Sequence, residues 1–505
     1  MNTKRNKFYI TTPLYYVNDE PHIGHAYTTI LADVINRYYQ SIDYDTFFLT
    51  GTDEHGQKVQ EAAKKNNITP IEHVDKFVKR FQDTWKNLNI KYDDFIRTTE
   101  KRHTDRVQEI LNDLFKKGEI YKNEYVGLYS VSEERFITEK EAEEGNFREI
   151  KKLKETNYFF KMSKYQNQLI KHINTHPNFI KPESRKNEIL SFLKNKLQDL
   201  CISRPKKRLS WGIELPFDND YVTYVWFDAL LNYISAIGWK SNDDQFNKYW
   251  PADLHLMAKD ILTTHCVYWP TMLMACNIQL PKTIFAHGWW LMENQKMSKS
   301  LGNVIKPLDL LNKYGADALR YYLMKNMVLG QDSSYSYESF VERYNADLAN
   351  DYGNVVNRIT ILIEKNFNAH CPEPGNYDNK ELEIITKAKA IPATVDKNMK
   401  NMKIHDALES AFSLIRLINK YLELKKPWKL VKENKDPKSP AATCLYLSAE
   451  LLRISALLLK PIMPSKTKIT LSALSQSDIM SREFGQLIPN SKIKSPGSLF
   501  PRIEE

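Results

Sequence analysis

The stretch that decides the fold is residues 7–49, which read KFYITTPLYYVNDEPHIGHAYTTILADVINRYYQSIDYDTFFL. Its first ten residues are rich in Tyr, Ile and Thr, which is typical of a strand. From Ala26 to Tyr39 large apolar side chains recur every four residues, which predicts a helix. Phe47–Leu49 is a short apolar run that predicts a second, buried strand. A strand, a helix and a strand within this length indicate one βαβ unit of a parallel sheet.

The rest of the chain predicts how this sheet is completed. Residues 116–225 are rich in Lys and Glu and show no βαβ rhythm, so we interpret them as an insertion. Strand-like segments at Tyr221–Phe227, Leu254–Met257 and Thr283–Leu291 are expected to complete the sheet. In the last third, apolar residues recur at spacings of three and four, which predicts a bundle of helices. There the dipeptide Ser439-Pro440 predicts an N-cap and the first residue of a helix.

Composition excludes several classes of protein. The chain has 505 residues, of which 42% are hydrophobic and 27% charged, and this excludes a disordered chain. No apolar run is expected to be long enough to span a membrane, and the polar N-terminus shows no signal peptide. The five cysteines are scattered without a CxxC pair, which predicts a cytoplasmic protein without a disulfide framework. The net charge of +10 permits a polyanionic partner.

The most informative motif is Pro21-His22-Ile23-Gly24-His25, which lies between the first strand and its helix. A helix N-terminus after a parallel strand offers free N–H groups and a positive dipole end to an anion. His22 and His25 share one side of that first turn, so both imidazoles are placed to donate to phosphate oxygens. Gly24 has no side chain and leaves room for a flat base. Two solvent-exposed histidines near a turn are an equally good interpretation of this motif alone.

A second motif, Lys296-Met297-Ser298-Lys299-Ser300, follows a polar turn after a strand-like segment. Lysine carries a compact charge on a flexible stem, which suits it to phosphates that move during a reaction. Two lysines in one loop would neutralise the charge that grows on a departing pyrophosphate. Lysines on loops are more often simply solvated, so this motif alone does not decide between the two interpretations.

Together the two motifs resemble the paired signatures of class I aminoacyl-tRNA synthetases. The resemblance implies a Rossmann-type α/β domain with a parallel sheet, split by a connective insertion and followed by an all-α anticodon-binding helix bundle. The expected regions are 1–115 and 226–290 for the two halves of the catalytic domain, 116–225 for the insertion, 291–345 for the mobile lysine loop and stem-contact region, and 346–505 for the anticodon-binding domain.

Further stretches are similar to the methionyl-tRNA synthetase family in particular, namely Thr11–Asn18, Gly51–Gly56, Tyr224–Leu230 and Ala258–Ile261 with His265 and Trp269. The resemblance implies that methionine and ATP form methionyl-adenylate and pyrophosphate, and that methionine then passes to the 3′-terminal adenosine of tRNA(Met). Mg²⁺ is expected with ATP. The catalytic and ATP-binding roles carried over from the family fall on His22, Gly24, His25, Lys296 and Lys299, with Gly24 against adenine.

The family resemblance also implies a methionine-binding pocket. Asp53 follows a predicted strand and is placed to bind the substrate ammonium group, although a helix cap or a surface ion pair would also explain it. The family positions around the substrate side chain match Leu14, Tyr16, Trp226, Ala229, Tyr233, Ile261 and His265. An apolar, aromatic pocket suits a flexible thioether. Without the resemblance, core packing would be the simpler interpretation of Trp226 and Ile261, and a structural role that of His265.

The chain departs from many relatives in the insertion. Those relatives carry CxxC knuckles, whereas Ser130 and Glu133 stand here where thiolates could be. A structural zinc site needs about four N or S ligands, so we expect a form without zinc-knuckle cysteines and without structural zinc. Leu230 also stands where some relatives carry proline.

Anticodon-binding residues are implied at the matching positions Asn354, Arg358, Pro427 and Trp428. Asn354 and Arg358 are four apart on a predicted helix and share a face, and Lys426-Pro427-Trp428 is expected to end another helical segment. Asn and Arg side chains can bind base edges, and a Trp can stack on a splayed base. A helix-surface pair and a buried Trp are the alternatives that the residues alone would favour.

Two other functions remain to be weighed against a methionine–tRNA ligase. A nucleotidylyltransferase with a similar phosphate loop would not need the helical third of the chain, and an RNA-binding module would not consume ATP. The presence of both signature motifs favours the ligase. We expect a monomer that binds methionine, ATP and tRNA(Met) and no membrane.

Overall fold

The computed structural model describes residues 5–17, 20–130, 135–137, 142, 150–292, 295–296, 307–476 and 481–504. They form two compact units. The first unit consists of Met1–Pro21, Tyr39–Lys86 and Ile90–His287, and the second of His22–Tyr38, Asn87–Asn89 and Gly288–Glu505.

The strands in chain order are β1 (Lys7–Thr11), β2 (Tyr15–Tyr16), β3 (Asp45–Asp53), β4 (Asp94–Arg97), β5 (Ile120–Ser130), β6 (Arg135–Ile137), β7 (Ile150–Phe160), β8 (Ile180–Lys181), β9 (Leu200–Cys201), β10 (Ser203–Pro205), β11 (Glu214–Leu215), β12 (Asp218–Thr223), β13 (Leu254–Ala258), β14 (Ile284–His287), β15 (Trp290–Met292), β16 (Gln295–Lys296) and β17 (Ser333–Tyr335).

The α-helices are α1 (Ile23–Ser41), α2 (Gln57–Lys65), α3 (Pro70–Asn87), α4 (Lys101–Lys116), α5 (Gln166–Thr175), α6 (Glu183–Phe192), α7 (Val225–Ala229), α8 (Asn232–Ser235), α9 (Asp243–Tyr249), α10 (Trp269–Ala275), α11 (Pro307–Tyr314), α12 (Ala316–Asn326), α13 (Tyr337–Arg343), α14 (Asn354–Asn366), α15 (Asn379–Lys400), α16 (Ile404–Lys425), α17 (Pro427–Glu433), α18 (Pro440–Leu459) and α19 (Pro464–Ala473). Short 3₁₀ turns lie at Met162–Tyr165 and Lys259–Ile261, and π-helical turns at Thr264–Tyr268 and Tyr344–Gly353.

A parallel sheet of seven strands forms the first unit's centre, in the order β2-β3-β1-β13-β14-β8 with β4 also paired to β3. Every pair in it is parallel, and β1 lies between β3 and β13. The β3 residues from Phe48 to Asp53 are all buried, as expected of a parallel strand covered on both faces. The parallel α/β sheet predicted from residues 7–49 is therefore confirmed.

The region between α4 and α7 is mostly antiparallel, which explains why it lacks a βαβ rhythm. β5 and β7 pair along their whole length, from Ile120 opposite Phe160 to Ser130 opposite Ile150. β6 and β9 extend this sheet, and β10, β12 and β11 form a smaller one. One strand differs, because β8 pairs with β14 and so joins the parallel sheet.

Two of the strand predictions are wrong in part. Tyr221–Phe227 is not one strand of the parallel sheet: β12 ends at Thr223 and is antiparallel to β10 and β11, and Val225 begins α7. A short apolar run fits a strand and a buried helical turn equally well, and only its neighbours decide between them. Thr283–Leu291 is likewise divided, since β14 ends at His287 and β15 pairs with β16 and β17 in a separate sheet.

The second unit is mostly helical, and α18 is its most deeply buried element. Ser439 caps α18 by accepting a hydrogen bond from the Ala442 N–H at 3.2 Å, and Pro440 is its first residue, as predicted. A capping box at Asp378 and Glu381 begins α15 in the same way.

The expectation that no segment is apolar enough for a membrane span is wrong for α18 by length and composition. Its 20 residues include an 18-residue window with a mean hydropathy of 1.5. That entire window is buried within the protein, as in the core helix of a globular domain. Glu450 and Arg453 form a fully buried ion pair in α18 at 2.8 Å, and the Glu450 carboxylate also accepts backbone N–H bonds from residues 485–487.

The helix α1 is held in the second unit by a buried ion pair. Arg320 on α12 donates to Asp33 of α1 at 2.6 Å, and neither side chain is exposed. Arg320 also donates to the carbonyl oxygens of Pro461 and Ile462 at 2.9 and 2.8 Å, so its fork is well satisfied. One guanidinium therefore joins α1, α12 and the turn between α18 and α19.

We predict that Asp33→Asn lowers the free energy of unfolding by about 3 kcal/mol, because the buried Arg320 charge loses its counter-charge. Chemical denaturation of the full chain measures this. The control is Asp83→Asn, which breaks an exposed pair with Lys79 and should cost less than about 1 kcal/mol. Equal effects of the two substitutions would contradict the assigned role of Asp33.

Candidate active site

The residues predicted to line the methionine pocket all lie in the first unit. Leu14 and Tyr16 follow β1, Asp53 ends β3, and Ile261 ends the 3₁₀ turn after β13. Because the carboxyl ends of parallel strands meet at one edge of a sheet, these segments converge although they are far apart in sequence. The remaining predicted residues lie on α7, α8 and the π-helical turn, namely Trp226, Ala229, Tyr233 and His265.

Tyr233 and His265 form a buried polar pair in this region. The Tyr233 hydroxyl lies 2.7 Å from His265 Nε2, and His265 Nδ1 lies 3.0 Å from the Ile261 carbonyl oxygen. The carbonyl only accepts, so Nδ1 carries the proton and Nε2 accepts from the tyrosine O–H. Burial lowers the pKa of His265 to about 4, so the ring is neutral at physiological pH.

Aromatic and aliphatic side chains surround this pair. The Trp226 ring is nearly perpendicular to the His265 ring, at a centroid distance of 6.3 Å. Leu14, Trp226 and Ile261 are half-buried and pack against the same core cluster that contains Tyr233. The core-packing interpretation of Trp226 and Ile261 is therefore supported, since both pack against the edge of the core. Their role in binding methionine stays a prediction.

Asp53 lies on the same strand edge, with only 7% of its surface exposed. It is the register partner of Tyr16, and its backbone carbonyl accepts from the Val17 N–H at 3.3 Å. Because Asp53 is buried, the alternative of an ion pair on the surface is wrong. A carboxylate at the end of a parallel strand is suitably placed for a cationic ligand.

The His22-Gly24-His25 motif lies in the second unit at the beginning of α1. The two imidazoles stack at a centroid distance of 3.6 Å, which fits the prediction that they share one side of the first turn. His22 Nδ1 accepts from the Gly24 N–H at 3.1 Å, and His25 Nδ1 accepts from the His22 N–H at 3.3 Å. An Nδ1 that accepts has no proton, so in both rings Nε2 carries it.

Gly24 lies directly beside the ring of His22. A Cβ at Gly24 would lie 2.9 Å from His22 Cε1 and 3.1 Å from Nδ1, so the ring would have to shift to make room for it. The space predicted beside Gly24 for a flat base is therefore bordered by the His22 imidazole ring.

The lysine motif is described only at its start. Lys296 belongs to β16, where its backbone pairs with Leu291 of β15. Lys299 lies outside the described residues, so the convergence of the two lysines with the histidines stays a prediction.

The residues predicted to bind the anticodon meet in the second unit. Asn354 and Arg358 lie one turn apart on α14, as predicted. The Arg358 guanidinium lies 5.0 Å from the centroid of the Trp428 ring and donates to Glu423 at 2.7 Å. Trp428 is half-buried, which leaves part of its ring accessible and differs from the alternative of a fully buried Trp.

One local prediction at this place is wrong in part. Lys426 does end a helix, because it is the left-handed C-cap of α16 with φ 51°, but Pro427 and Trp428 already belong to α17. Proline suits the first position of a helix because its missing N–H is not needed there.

Sequence reasoning missed a buried carboxylate beside the candidate pocket. Asp228 of α7 is unexposed and accepts from His55 and His103 at 2.6 and 2.7 Å. Burial alone would raise the pKa of Asp228, but the two histidines outweigh that effect and hold it below its ordinary value. The available signal was a charged residue inside the apolar run Val225–Leu231.

Among the described residues no group of three or more His, Cys, Asp or Glu side chains is placed to hold a metal ion. Ser130 ends β5, whereas Glu133 lies outside the described part of the chain. The prediction about structural zinc therefore stays a prediction.

Comparison with known proteins identifies the class and then the family. Residues 8–146 and 144–360 match the family model described as tRNA synthetases class I (M), and residues 371–505 match the anticodon binding domain of methionyl tRNA ligase. The methionine–tRNA ligase of Clostridium acetobutylicum is 45% identical over 99% of this chain and 79% of its own length. That of Clostridium perfringens is 44% identical over 99% and 78%.

Comparison with solved structures gives the same family. Mycobacterium tuberculosis methionyl-tRNA synthetase in complex with methionyl-adenylate is 38% identical, with a TM-score of 0.94 over 98% of this chain and 100% of that one. The apo form of the same enzyme has a TM-score of 0.87 and 34% identity over 100% of both chains.

The catalytic sheet and the first of these family models define a class I aminoacyl-tRNA synthetase. Within that class, the chain belongs to the methionyl-tRNA synthetase family. The predicted fold class, the predicted family and the predicted enzyme, an ATP-dependent methionine–tRNA ligase, are thereby confirmed.

We predict that Gly24→Ala slows methionine-dependent exchange of pyrophosphate into ATP about tenfold, which corresponds to about 1.4 kcal/mol. The added methyl group displaces the His22 ring, and with it the Nε2 donor. Methionine binding measured by calorimetry should stay unchanged, since the residues predicted to bind methionine lie elsewhere. An unchanged exchange rate would show that the position of the His22 ring is unimportant.

Proposed function

We propose that this chain activates methionine and charges tRNA(Met) in two steps. A carboxylate oxygen of methionine attacks the α-phosphorus of ATP, which forms methionyl-adenylate and releases pyrophosphate. The 2′- or 3′-hydroxyl of the terminal adenosine of the tRNA then attacks the carbonyl carbon and releases AMP. The observation that carries this proposal is the similarity to methionine–tRNA ligases over 99% of the chain, catalytic and anticodon-binding regions included.

Methionine recognition is assigned to the edge of the parallel sheet in the first unit. Asp53 binds the ammonium group through a charge-assisted hydrogen bond. The thioether lies among Leu14, Tyr16, Trp226, Ala229, Tyr233, Ile261 and His265. The Tyr233–His265 pair supports this assignment, because a neutral imidazole whose two nitrogens are both engaged has little need of a polar ligand atom. The pocket therefore presents a neutral, largely satisfied surface to the sulfur.

ATP recognition is assigned to the two signature motifs. His22 and His25 donate from Nε2 to phosphate oxygens, which is the tautomer that their backbone hydrogen bonds favour. Gly24 lies against adenine. Lys296 and Lys299 neutralise the charge that develops on pyrophosphate as its bond to the α-phosphorus breaks. Mg²⁺ enters with ATP as part of the substrate.

Anticodon recognition is assigned to Asn354, Arg358, Pro427 and Trp428. The Trp428 ring supplies a stacking platform, and the Arg358 guanidinium beside it has donors suited to a base edge. A monomeric state and a cytoplasmic location remain predictions.

The decisive experiment is ATP–pyrophosphate exchange measured with each of the twenty amino acids in turn. Methionine should support the fastest exchange, and charging of a tRNA(Met) transcript should follow. No exchange with methionine, or faster exchange with another amino acid, would reject the proposed substrate. Removal of residues 346–505 should abolish charging by a tRNA ligase, whereas it should leave the full reaction of a nucleotidylyltransferase with a small acceptor intact.

We predict that Trp428→Ala lowers kcat/KM for tRNA(Met) by about tenfold to a hundredfold, because one stacked base contributes about 1–3 kcal/mol. Methionine-dependent exchange should not change, since it needs no tRNA. The matched control is Phe484→Ala, which removes another half-buried ring of the second unit, one that lies 5.6 Å from the Lys389 ammonium. Equal losses in both variants would indicate a general effect on the helical unit.

A further inference from the structure

We infer that Asp228 is a positioning residue for the methionine site. Through His55 and His103 it fixes the three chain segments that carry Asp53, Trp226 with Ala229, and Tyr233. The inference rests on the proposed function, and it adds a residue that binds no substrate itself.

The geometry is that of a carboxylate with both oxygens occupied. His55 Nδ1 lies 2.6 Å from Asp228 Oδ2, and His103 Nε2 lies 2.7 Å from Oδ1. The other nitrogen of His103, Nδ1, lies 2.8 Å from the Ser235 hydroxyl. His103 therefore donates from Nε2 and accepts from the serine at Nδ1. Each group in this hydrogen-bonded series has one orientation in which its hydrogen bonds are made. Asp228 and His103 are unexposed and His55 is 6% exposed.

Three members of this network are close in sequence to predicted methionine-binding residues, and the fourth, His103, lies on α4. His55 comes two residues after Asp53, Asp228 lies between Trp226 and Ala229, and Ser235 comes two residues after Tyr233. The two ends of the His55–Asp228 bond are 173 residues apart in the chain. This bond therefore joins the segment that follows β3 directly to α7, the helix that carries Trp226.

The segment around Asp53 is held rigidly from its other side as well. Glu54 forms a bidentate ion pair with Arg97 at 2.7 and 2.9 Å and accepts from the Thr52 hydroxyl at 2.6 Å. Trp211 Nε1 donates to the Glu54 carbonyl at 2.6 Å, and its ring lies 5.3 Å from that of His55. The Asp228 carboxylate links this segment to α7 through His55.

Asparagine is the most informative replacement for Asp228. It keeps the shape of the side chain but offers one acceptor oxygen in place of two, and its NH₂ group faces a ring N–H. One of the two histidines must then turn away or change tautomer. A displacement of about 1 Å in a reacting substrate can lower the reaction rate about a hundredfold. A smaller shift of Asp53 relative to Trp226 should therefore already change the measured kinetics.

The test is steady-state exchange kinetics of full-length Asp228→Asn. We expect KM for methionine to rise at least about tenfold while KM for ATP changes less than about twofold. The matched control is Asp253→Asn, which removes another carboxylate of the first unit. Asp253 accepts from the Tyr9 N–H at 2.8 Å and precedes β13, at the opposite end of the strands. It should leave KM for methionine unchanged.

Two results would overturn the inference. One is a folded Asp228→Asn protein, with a wild-type circular dichroism spectrum, whose KM for methionine equals that of wild type. The other is a parallel rise of both KM values, which is what a merely structural role produces. Absence of methionine-dependent exchange in the wild-type chain would instead reject the proposed function itself.

A milder variant covers the case in which Asp228→Asn does not fold. Ser235→Ala removes only the hydroxyl that orients His103 and leaves the Asp228 carboxylate paired with both rings. We expect KM for methionine to rise a few fold, again without a change in KM for ATP. An unchanged KM for methionine in this variant would contradict the orienting role of the network.

Discussion

The parallel pairing of β1 with a neighbour on each side is the constraint on which the first unit depends. β1 aligns Tyr9 with Phe47 of β3 and Ile10 with Leu254 of β13. Parallel strands cannot be joined by tight turns, so long connections must leave and return at the ends of the sheet. The carboxyl ends of three strands that are distant in sequence consequently meet at one edge. That edge carries Asp53, Leu14 and Ile261, and it is where a ligand can contact several segments at once.

Two small sets of buried polar groups at this edge are hydrogen-bonded among themselves. The Tyr233 hydroxyl, His265 and the Ile261 carbonyl form one set, in which every group is neutral because burial depresses the pKa of the imidazole to about 4. Asp228 with His55 and His103 forms another, in which a charge is retained because two donors face it. Buried polar groups that are fully paired rigidify a core and define a single arrangement. The neutral surface formed by Tyr233 and His265 lies beside the rigidly held Asp228 carboxylate. Such a surface suits an amino acid with an apolar side chain.

The second unit contains two fully buried ion pairs, each of which joins separate segments of the chain. Arg320 joins α1 to the turn after α18, with two carbonyl oxygens completing its fork. Glu450 and Arg453 lie within α18, and the carboxylate also accepts N–H groups from residues 485–487. A helix with the hydropathy of a membrane span thus contains two charges, both neutralised inside the protein. Removing one partner of such a pair lowers the free energy of unfolding, because the remaining charge stays buried.

The elements that could be predicted from the amino-acid sequence are those whose signals are local. The βαβ pattern of residues 7–49, the cap at Ser439 and the stacked histidines of the first motif all depend on residues a few positions apart, and the structure contains each of them. The family motifs likewise gave the expected pocket residues. Three features could be known only from the folded structure. Val225 begins a helix and not a strand. The helix α1 groups with the helical unit, and Asp228 bonds to His55 across 173 residues. Those outcomes depend on which distant segments come together, and a short apolar run or an isolated acidic residue carries no information about its future neighbours.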